Sequence, residues 1–246
     1  LPHPGLGAVL RHRRLAAGAG GRRGEAAERG TGRTGAAASV NDGALHRPPG
    51  PDGRTAAGAD AYPVDYSATS GRTSRWADGY AGGFHYDLAA NDRRALTYTS
   101  EPLPQDLEVT GHPLVHLWVT STHPDGAFFV YLSDVDADGT PHYVTEGVLR
   151  ASHRRRTAAP WDGAGLPHHA GTADAVEPLP DEPVELVLDL HPTSYSFAAG
   201  RRLRISITCC DRDNASVEEH TPAPVVTLHR GPRHPSRVVL PVLPGD

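Results

Sequence analysis

The chain has 246 residues, of which 38% are hydrophobic, and this is enough for one large β domain or two small domains. Its formal net charge of -5 gives no electrostatic reason to expect nucleic acid as a partner. No apolar run approaches the ~18 residues that a membrane span needs, and no charged start followed by an apolar core indicates a signal peptide. We therefore expect neither a nucleic-acid nor a membrane partner, and a cytoplasmic location is favoured.

The counts of a few residue types further limit the fold classes that the chain can adopt. Gly and Pro number 27 and 23, and so many breakers favour short strands joined by turns over long helices. The two cysteines are the neighbours Cys209 and Cys210, which do not form a disulfide framework and leave the redox compartment open. Met is absent and the chain begins Leu1-Pro2-His3, which we expect of a fragment of a longer protein.

Residues 1–60 differ in composition from the rest of the chain. They contain no aromatic residue and no Ile, and they consist largely of Ala, Gly and Arg. Such a segment cannot bury enough apolar surface to offset the entropy cost of ordering it. We therefore expect residues 1–60 to be a disordered, low-complexity segment, although a reading frame shifted upstream would produce the same composition.

From residue 61 to residue 246 the chain has the pattern of a series of short strands. In 128–135 (FFVYLSDV) and 202–208 (RLRISIT), successive side chains alternate between two faces, which is the period of a strand. Many Pro and Gly joints and no convincing helix predict an all-β fold of two antiparallel sheets, a jelly-roll sandwich. The predicted strands are 95–99, 114–121, 127–134, 141–150, 184–190, 202–209, 225–229 and 237–242.

The stretch DVDADG at 134–139 matches the first half of a calcium-binding loop. Such a loop needs a Glu at its twelfth position, where this chain has Thr145, and its flanks here have the pattern of strands and not of helices. We therefore expect an ordinary hairpin turn at this point and no bound cation.

The 15 histidines could suggest a metal, and the spacing of His112 and His116 would suit zinc on a helix. On the predicted strand, however, four residues span ~13 Å, which is too far for two ligands of one ion. The pair His168-His169 lies in a Gly/Pro-rich loop without a Cys or a carboxylate at ligand spacing. We therefore expect surface histidines, no metal site and no cofactor.

The search for a nucleophile predicts that this chain has no catalytic residue of its own. There is no G-x-S-x-G elbow and no P-loop in the sequence. Cys209 and Cys210 end an apolar strand, where a thiol is usually packed and unreactive. We expect the chain alone to be inactive in ester or amide hydrolysis.

Five stretches, taken together and in order, resemble the C-terminal domain of X-prolyl dipeptidyl-peptidases and cocaine-esterase-like acyl hydrolases. The resemblance extends over about residues 60–246, and it departs from the family at Arg201, where His is usual, and in the tract 211–224. The five stretches are 96–111 (LTYTSEPLPQDLEVTG), 117–121 (LWVTS), 130–150 (VYLSDVDADGTPHYVTEGVLR), 192–207 (PTSYSFAAGRRLRISI) and 229–243 (HRGPRHPSRVVLPVL).

The resemblance implies a serine hydrolase that acts on ester or amide bonds of a small molecule or peptide. In that family an α/β-hydrolase domain, absent from this chain, carries the Ser-His-Asp triad. The C-terminal jelly roll, of the galactose-binding-like type, packs on that domain and helps to shape its pocket. Phe84 and Tyr86 precede Asn91-Asp92 in a segment similar to the family loop that approaches the pocket, so the resemblance implies that they line it.

Two alternatives remain open from the sequence. A free-standing jelly-roll module that binds carbohydrate should display a row of exposed aromatics, and Trp76, Trp118 and Trp161 lie far apart along the chain. A purely structural interface domain would leave Phe84 and Tyr86 away from any pocket, where they would be simple packing aromatics.

Overall fold

The structure, a computed structural model, describes residues 13–18, 41–46, 58–72, 88–161 and 165–243. Within these residues no helix is long and apolar enough to cross a bilayer. The helical elements are α1 (Ala89–Asp92) and two 3-10 turns, Ala151–His153 and Ala173–Ala175. The strands are β1 (Arg13–Gly18), β2 (Asn41–His46), β3 (Gly58–Pro63), β4 (Leu96–Ser100), β5 (Leu107–Gly111), β6 (Leu114–Ser121), β7 (Ala127–Val135), β8 (Pro141–Arg150), β9 (Val184–Asp189), β10 (Thr193–Phe197), β11 (Arg202–Thr208), β12 (Val225–Arg230) and β13 (Arg237–Leu240).

Most of the strands form two groups, which we call the first group and the second group. In the first group β12 lies between β3 and β6, and β9 pairs with β6; in the second group the order is β4-β11-β7-β8. β13, β1 and β2 connect the two groups, and β5 pairs with β10 in a separate two-stranded sheet. All ladders among the described strands are antiparallel except the one between β2 and β4. The predicted all-β, antiparallel architecture is therefore confirmed, and it is consistent with a jelly roll.

All eight predicted strands are present, with ends that agree within two residues. The sequence did not predict β1, β2, β3, β5 or β10. β5 lies between the predicted strands 95–99 and 114–121, and it forms a ladder with β10. Both are five residues long, which is too short for an alternating pattern to stand out from its surroundings.

The main core is an apolar cluster to which both strand groups contribute, so the two groups pack face to face. The predicted alternation is confirmed on β7 and β11, because every second side chain of each strand enters this cluster. Its members from three central strands are Val115, Leu117 and Val119 of β6, Phe128, Val130 and Leu132 of β7, and Leu203, Ile205 and Ile207 of β11.

Two strands lie on the N-terminal side of the predicted domain boundary near residue 61. β1 pairs with β13, and β2 pairs with β4, so both strands find backbone partners in the sandwich. Leu45 of β2 is buried in the main core. The expectation that residues 1–60 form a disordered segment stays a prediction; where these two strands pair, ladder hydrogen bonds can order a stretch that is poor in apolar side chains.

Gly147 of β8 marks a close approach between the two strand groups. A Cβ atom at this position would lie 2.5 Å from the carbonyl oxygen of Asp189, at the end of β9. Next to it, the His191 amide donates to the Glu146 carbonyl over 2.8 Å, and the Thr145 hydroxyl donates to the His191 carbonyl over 2.8 Å. A seam of direct backbone contact therefore joins β8 to the turn after β9.

Candidate functional site

The two residues predicted to line a pocket, Phe84 and Tyr86, lie outside the described residues. The described chain stops at Arg72 and resumes at Leu88, so the flanks of the segment that carries them can be located. Those flanks show which face of the molecule carries the segment with the two predicted residues.

Both flanks contact the same face of the β4-β11-β7-β8 group, the face turned away from the main core, which we call the outer face. Arg72 Nε lies 3.3 Å from a carboxylate oxygen of Asp213, in the loop that follows β11. Leu88 packs with Phe129, Tyr131 and Tyr143 in a second apolar cluster, the outer cluster, against which Ala215 and Val217 also pack. β7 therefore has buried side chains on both of its faces.

Asp211 is the centre of a buried polar network beside the outer cluster. Its carboxylate accepts hydrogen bonds from the hydroxyls of Ser70 (2.5 Å) and Tyr131 (2.7 Å) and from the amide of Asn214 (2.9 Å). Burial by itself raises the pKa of the Asp211 carboxyl, but these donors outweigh it and hold the pKa below its ordinary value. Asp211 thus fastens the segment that ends at Arg72 to the outer face.

A second network holds the other flank. Asp92 at the end of α1 is 1% exposed, and its carboxylate meets the Arg204 guanidinium at 2.8 Å and the Ser206 hydroxyl at 2.6 Å. Burial raises the pKa of the Asp92 carboxyl, and the Arg204 guanidinium opposes that rise. Because Arg204 and Ser206 point outward from β11, this ion pair fixes α1 on the outer face.

The structure places both cysteines where neither can act as an accessible nucleophile. Cys209 is 5% exposed and Cys210 is 1% exposed. Burial raises the pKa of the Cys209 thiol far above its ordinary value, and it raises the pKa of the Cys210 thiol to about 11. A thiol with a raised pKa yields little thiolate at neutral pH, so neither sulfur is activated for acyl transfer.

The predicted hairpin turn between β7 and β8 is confirmed. The Asp136 carboxylate accepts hydrogen bonds from the backbone amides of Asp138 (3.0 Å) and Thr140 (2.9 Å), which closes the turn. Asp134 is buried, and its carboxylate contacts Arg201 Nε at 2.9 Å and the Tyr195 hydroxyl at 2.9 Å. Asp134 and Asp136 therefore already have protein donors.

The histidines singled out by spacing are partly buried, and each has a protein partner. His112 Nδ1 lies 3.0 Å from a carboxylate oxygen of Asp189, and His116 Nδ1 lies 2.9 Å from Glu185, so each meets a different residue of β9. His168 and His169 are half-buried in the loop after β8. Among the described residues no group of three His, Cys, Asp or Glu side chains could hold a metal ion.

Comparison with known proteins identifies the family of this β-sandwich. The model of the X-Pro dipeptidyl-peptidase C-terminal non-catalytic domain matches residues 37–239. The chain belongs to this family. The match confirms the predicted resemblance, and it begins before the predicted boundary near residue 61, so that it includes β2.

Individual relatives agree with the family match. The chain is 44% identical over 202 residues to a Mycobacterium bovis protein named "putative serine esterase", and this covers 80% of the chain and 32% of the relative. It is 30% identical over 161 residues to the cocaine esterase of a Rhodococcus species, covering 60% of the chain and 25% of the relative. The chain thus spans about a third or less of the length of these curated relatives.

A solved structure confirms the fold. An α-amino acid ester hydrolase superposes with a TM-score of 0.62 at 19% identity, covering 94% of this chain and 36% of that one. At this level of identity the likeness concerns the fold alone.

Proposed function

We propose that this chain is the C-terminal β-sandwich of a serine hydrolase that cleaves ester or amide bonds. In this proposal the sandwich packs on an α/β-hydrolase catalytic domain, and the segment with Phe84 and Tyr86 helps to shape the substrate pocket. The observation that carries the proposal is the match of residues 37–239 to a non-catalytic C-terminal domain. The names of the Mycobacterium and Rhodococcus relatives favour an ester as the substrate.

The chemistry of the chain supports a division of labour between two domains. Acyl transfer at neutral pH needs an activated nucleophile held against a base and facing an oxyanion hole. The sequence has no G-x-S-x-G, and both thiols are buried with raised pKa values. The nucleophile would therefore be supplied by the catalytic domain, and this chain would supply shape and contact surface.

The outer face supports the place that we propose for the contact. Two buried carboxylates, Asp92 and Asp211, hold the two flanks of the segment that contains Phe84 and Tyr86. Such anchoring fixes where this segment begins and ends on the outer face, beside which the catalytic domain is proposed to pack.

The carbohydrate-binding alternative has less support from the described residues. Trp161 is 64% exposed and contacts His168, whereas Trp118 lies in β6 and packs against His234 with ring centroids 5.0 Å apart. These two side chains do not form the row of exposed aromatic rings that a sugar-binding platform needs.

The first test measures catalysis by the purified chain with a p-nitrophenyl ester. We expect no hydrolysis above buffer. Hydrolysis that a serine-directed phosphonate abolishes would contradict the proposal that the nucleophile lies in another domain.

The second test measures docking. The Mycobacterium bovis relative would be shortened by the region that matches this chain, and its ester hydrolysis would be followed as this chain is added. We expect the chain to bind the shortened relative and to raise its rate of ester hydrolysis; absence of binding would count against the docking role.

Phe84→Ala and Tyr86→Ala should raise the KM of this reconstituted pair more than they lower its kcat. The control Trp161→Ala should leave both values unchanged.

A further inference from the structure

A cavity on the opposite side of the molecule has no part in the proposed docking face. It has a volume of about 390 Å³ and lies between the outward side of β6 and β9 and the loop that follows β8. This volume falls within the range of ~300–1,000 Å³ that is typical of small-molecule sites. Its walls are apolar at Leu114, Leu166 and Val187, and they are basic at His116, Arg156 and His168.

The charge of this cavity is positive. Among its described lining residues there is no Asp or Glu. Burial lowers the pKa of His116, and its hydrogen bond with Glu185 opposes that effect only in part. His116 is therefore mainly neutral at pH 7, and the permanent charge of the cavity is the guanidinium of Arg156.

Arg156 differs from the two arginines that precede it. Arg154 and Arg155 lie 3.5 Å and 3.7 Å from carboxylate oxygens of Glu177. Within the part of the chain that the structure describes, Arg156 forms no ion pair, and it lines the cavity. A guanidinium at the wall of a cavity that also presents apolar side chains favours an anionic ligand with an apolar group, since its planar fork can hold a carboxylate with two parallel hydrogen bonds.

The loop that carries Arg156 is fastened in place. The Thr157 amide donates to the His168 carbonyl over 2.9 Å, and the Thr157 hydroxyl lies 2.9 Å from His168 Nδ1. His169 Nε2 lies 3.0 Å from the Val187 carbonyl, which joins the loop to β9. A ligand would therefore meet a backbone that is already in place, and the ordering cost of binding would fall mainly on the exposed side chain of Arg156.

We propose that this cavity binds a small organic carboxylate that carries a compact apolar group. Arg156 holds the carboxylate, and Leu114, Leu166 and Val187 contact the apolar group. The site lies away from the outer face, and it does not depend on the function proposed for that face.

Titration of the full chain with phenylacetate, followed by calorimetry and amide NMR shifts, tests the proposal. We expect saturable binding with shifts at Leu114, Arg156 and Val187. Arg156→Gln should weaken it about tenfold or more, since it removes the charged fork. The matched control is Arg155→Gln, because the Arg155 side chain pairs with Glu177, and it should leave the affinity within about twofold.

Three results would overturn the proposal. One is the absence of saturable binding up to about 10 mM, a concentration at which even very weak sites fill. The second is equal affinity for 2-phenylethanol, which would show that the carboxylate is not recognised. The third is equal affinity for inorganic phosphate, which would show that the apolar group contributes nothing. A thermal melt of Arg156→Gln that coincides with the parent chain confirms that a lost affinity is not a lost fold.

Discussion

Phe128 and Phe129 are neighbours on β7, yet they enter two different interiors. Phe128 lies in the main core, which is built from apolar side chains of both strand groups. Phe129 lies in the outer cluster, which is smaller and is bordered by the buried carboxylates of Asp92 and Asp211. One strand therefore separates a large, mainly apolar interior from a smaller one that is bordered by two buried carboxylates.

The comparison shows that burial has two different causes in this domain. The main core is stabilised by apolar area removed from water, which is non-directional and tolerates small shifts. The outer face is stabilised by matched donors and acceptors, each of which becomes costly when its partner is removed. The outer face should therefore respond more sharply than the main core to changes of charge and of pH.

The largest expected effect comes from the main core. Phe128→Ala should lower the free energy of unfolding by about 4 kcal/mol, because it leaves a cavity among tightly packed side chains. Phe129→Ala should lower it by only about 2 kcal/mol, since the outer cluster is smaller and can collapse around the gap. Urea denaturation of both variants measures the difference, and equal losses would mean that the two interiors are equally rigid.

The next effect concerns the buried ion pair of the outer face. Asp92→Ala should lower the free energy of unfolding by about 3 kcal/mol, because the Arg204 guanidinium remains buried without that carboxylate. The double substitution Asp92→Leu with Arg204→Met, which removes both charges, should lose less than Asp92→Ala alone.

Asp181→Ala is the control for that prediction, since Asp181 is an exposed carboxylate. Urea denaturation of Asp92→Ala, the double variant and Asp181→Ala measures the three losses in the free energy of unfolding. A double variant that is less stable than Asp92→Ala would show that the pair contributes through its shape and not through its charge.

A smaller effect should appear as a dependence on pH. Asp211→Asn should lower the free energy of unfolding by roughly 2 kcal/mol at pH 7, because charged hydrogen bonds from Ser70, Tyr131 and Asn214 are lost. The folded-state pKa of Asp211 is lowered, so its carboxylate stabilises the fold above the unfolded pKa of about 4, and this contribution is lost as the pH falls through the folded value.

The gap in stability between the parent chain and Asp211→Asn should therefore narrow below about pH 4. Denaturation curves collected from pH 3 to pH 7 measure it. A gap that stays constant over this range would contradict the assigned role of the Asp211 charge.

The smallest expected effect is that of calcium on the turn between β7 and β8. We expect the melting temperature to be the same in calcium and in chelator, because Asp134 and Asp136 are engaged by protein donors. A ligand that binds only the folded state raises its stability, so a rise of several degrees in calcium would contradict this prediction.

The sequence predicted the parts of the fold that follow from local periodicity. Alternation over seven or eight residues was sufficient to place β7 and β11 and to assign their faces. The networks of the outer face could not be predicted, since a carboxylate at the end of a short helix or in a loop gives no periodic signal. The partners of Asp92 and Asp211 in these networks, Arg204 and Tyr131, lie 112 and 80 residues away along the chain.

A weak signal for the outer face was nevertheless present. Arg204 lies in the middle of a strand whose alternate residues are apolar, and a charge at such a position either faces solvent or has a buried partner. The sequence alone could not show whether the Arg204 side chain faces solvent or has a buried partner. Nor could it distinguish Arg156 from Arg154 and Arg155, because the composition of the run is uniform and only the fold determines which of the three meets Glu177.

The seam at Gly147 limits how this domain can change over evolutionary time. Any side chain there would meet the Asp189 carbonyl oxygen, so substitution requires the two backbones to separate. Gly126 has open space around its Cβ position and carries no such restriction. In a library of random variants selected for folded protein, position 147 should therefore return almost only glycine codons, while position 126 should drift freely.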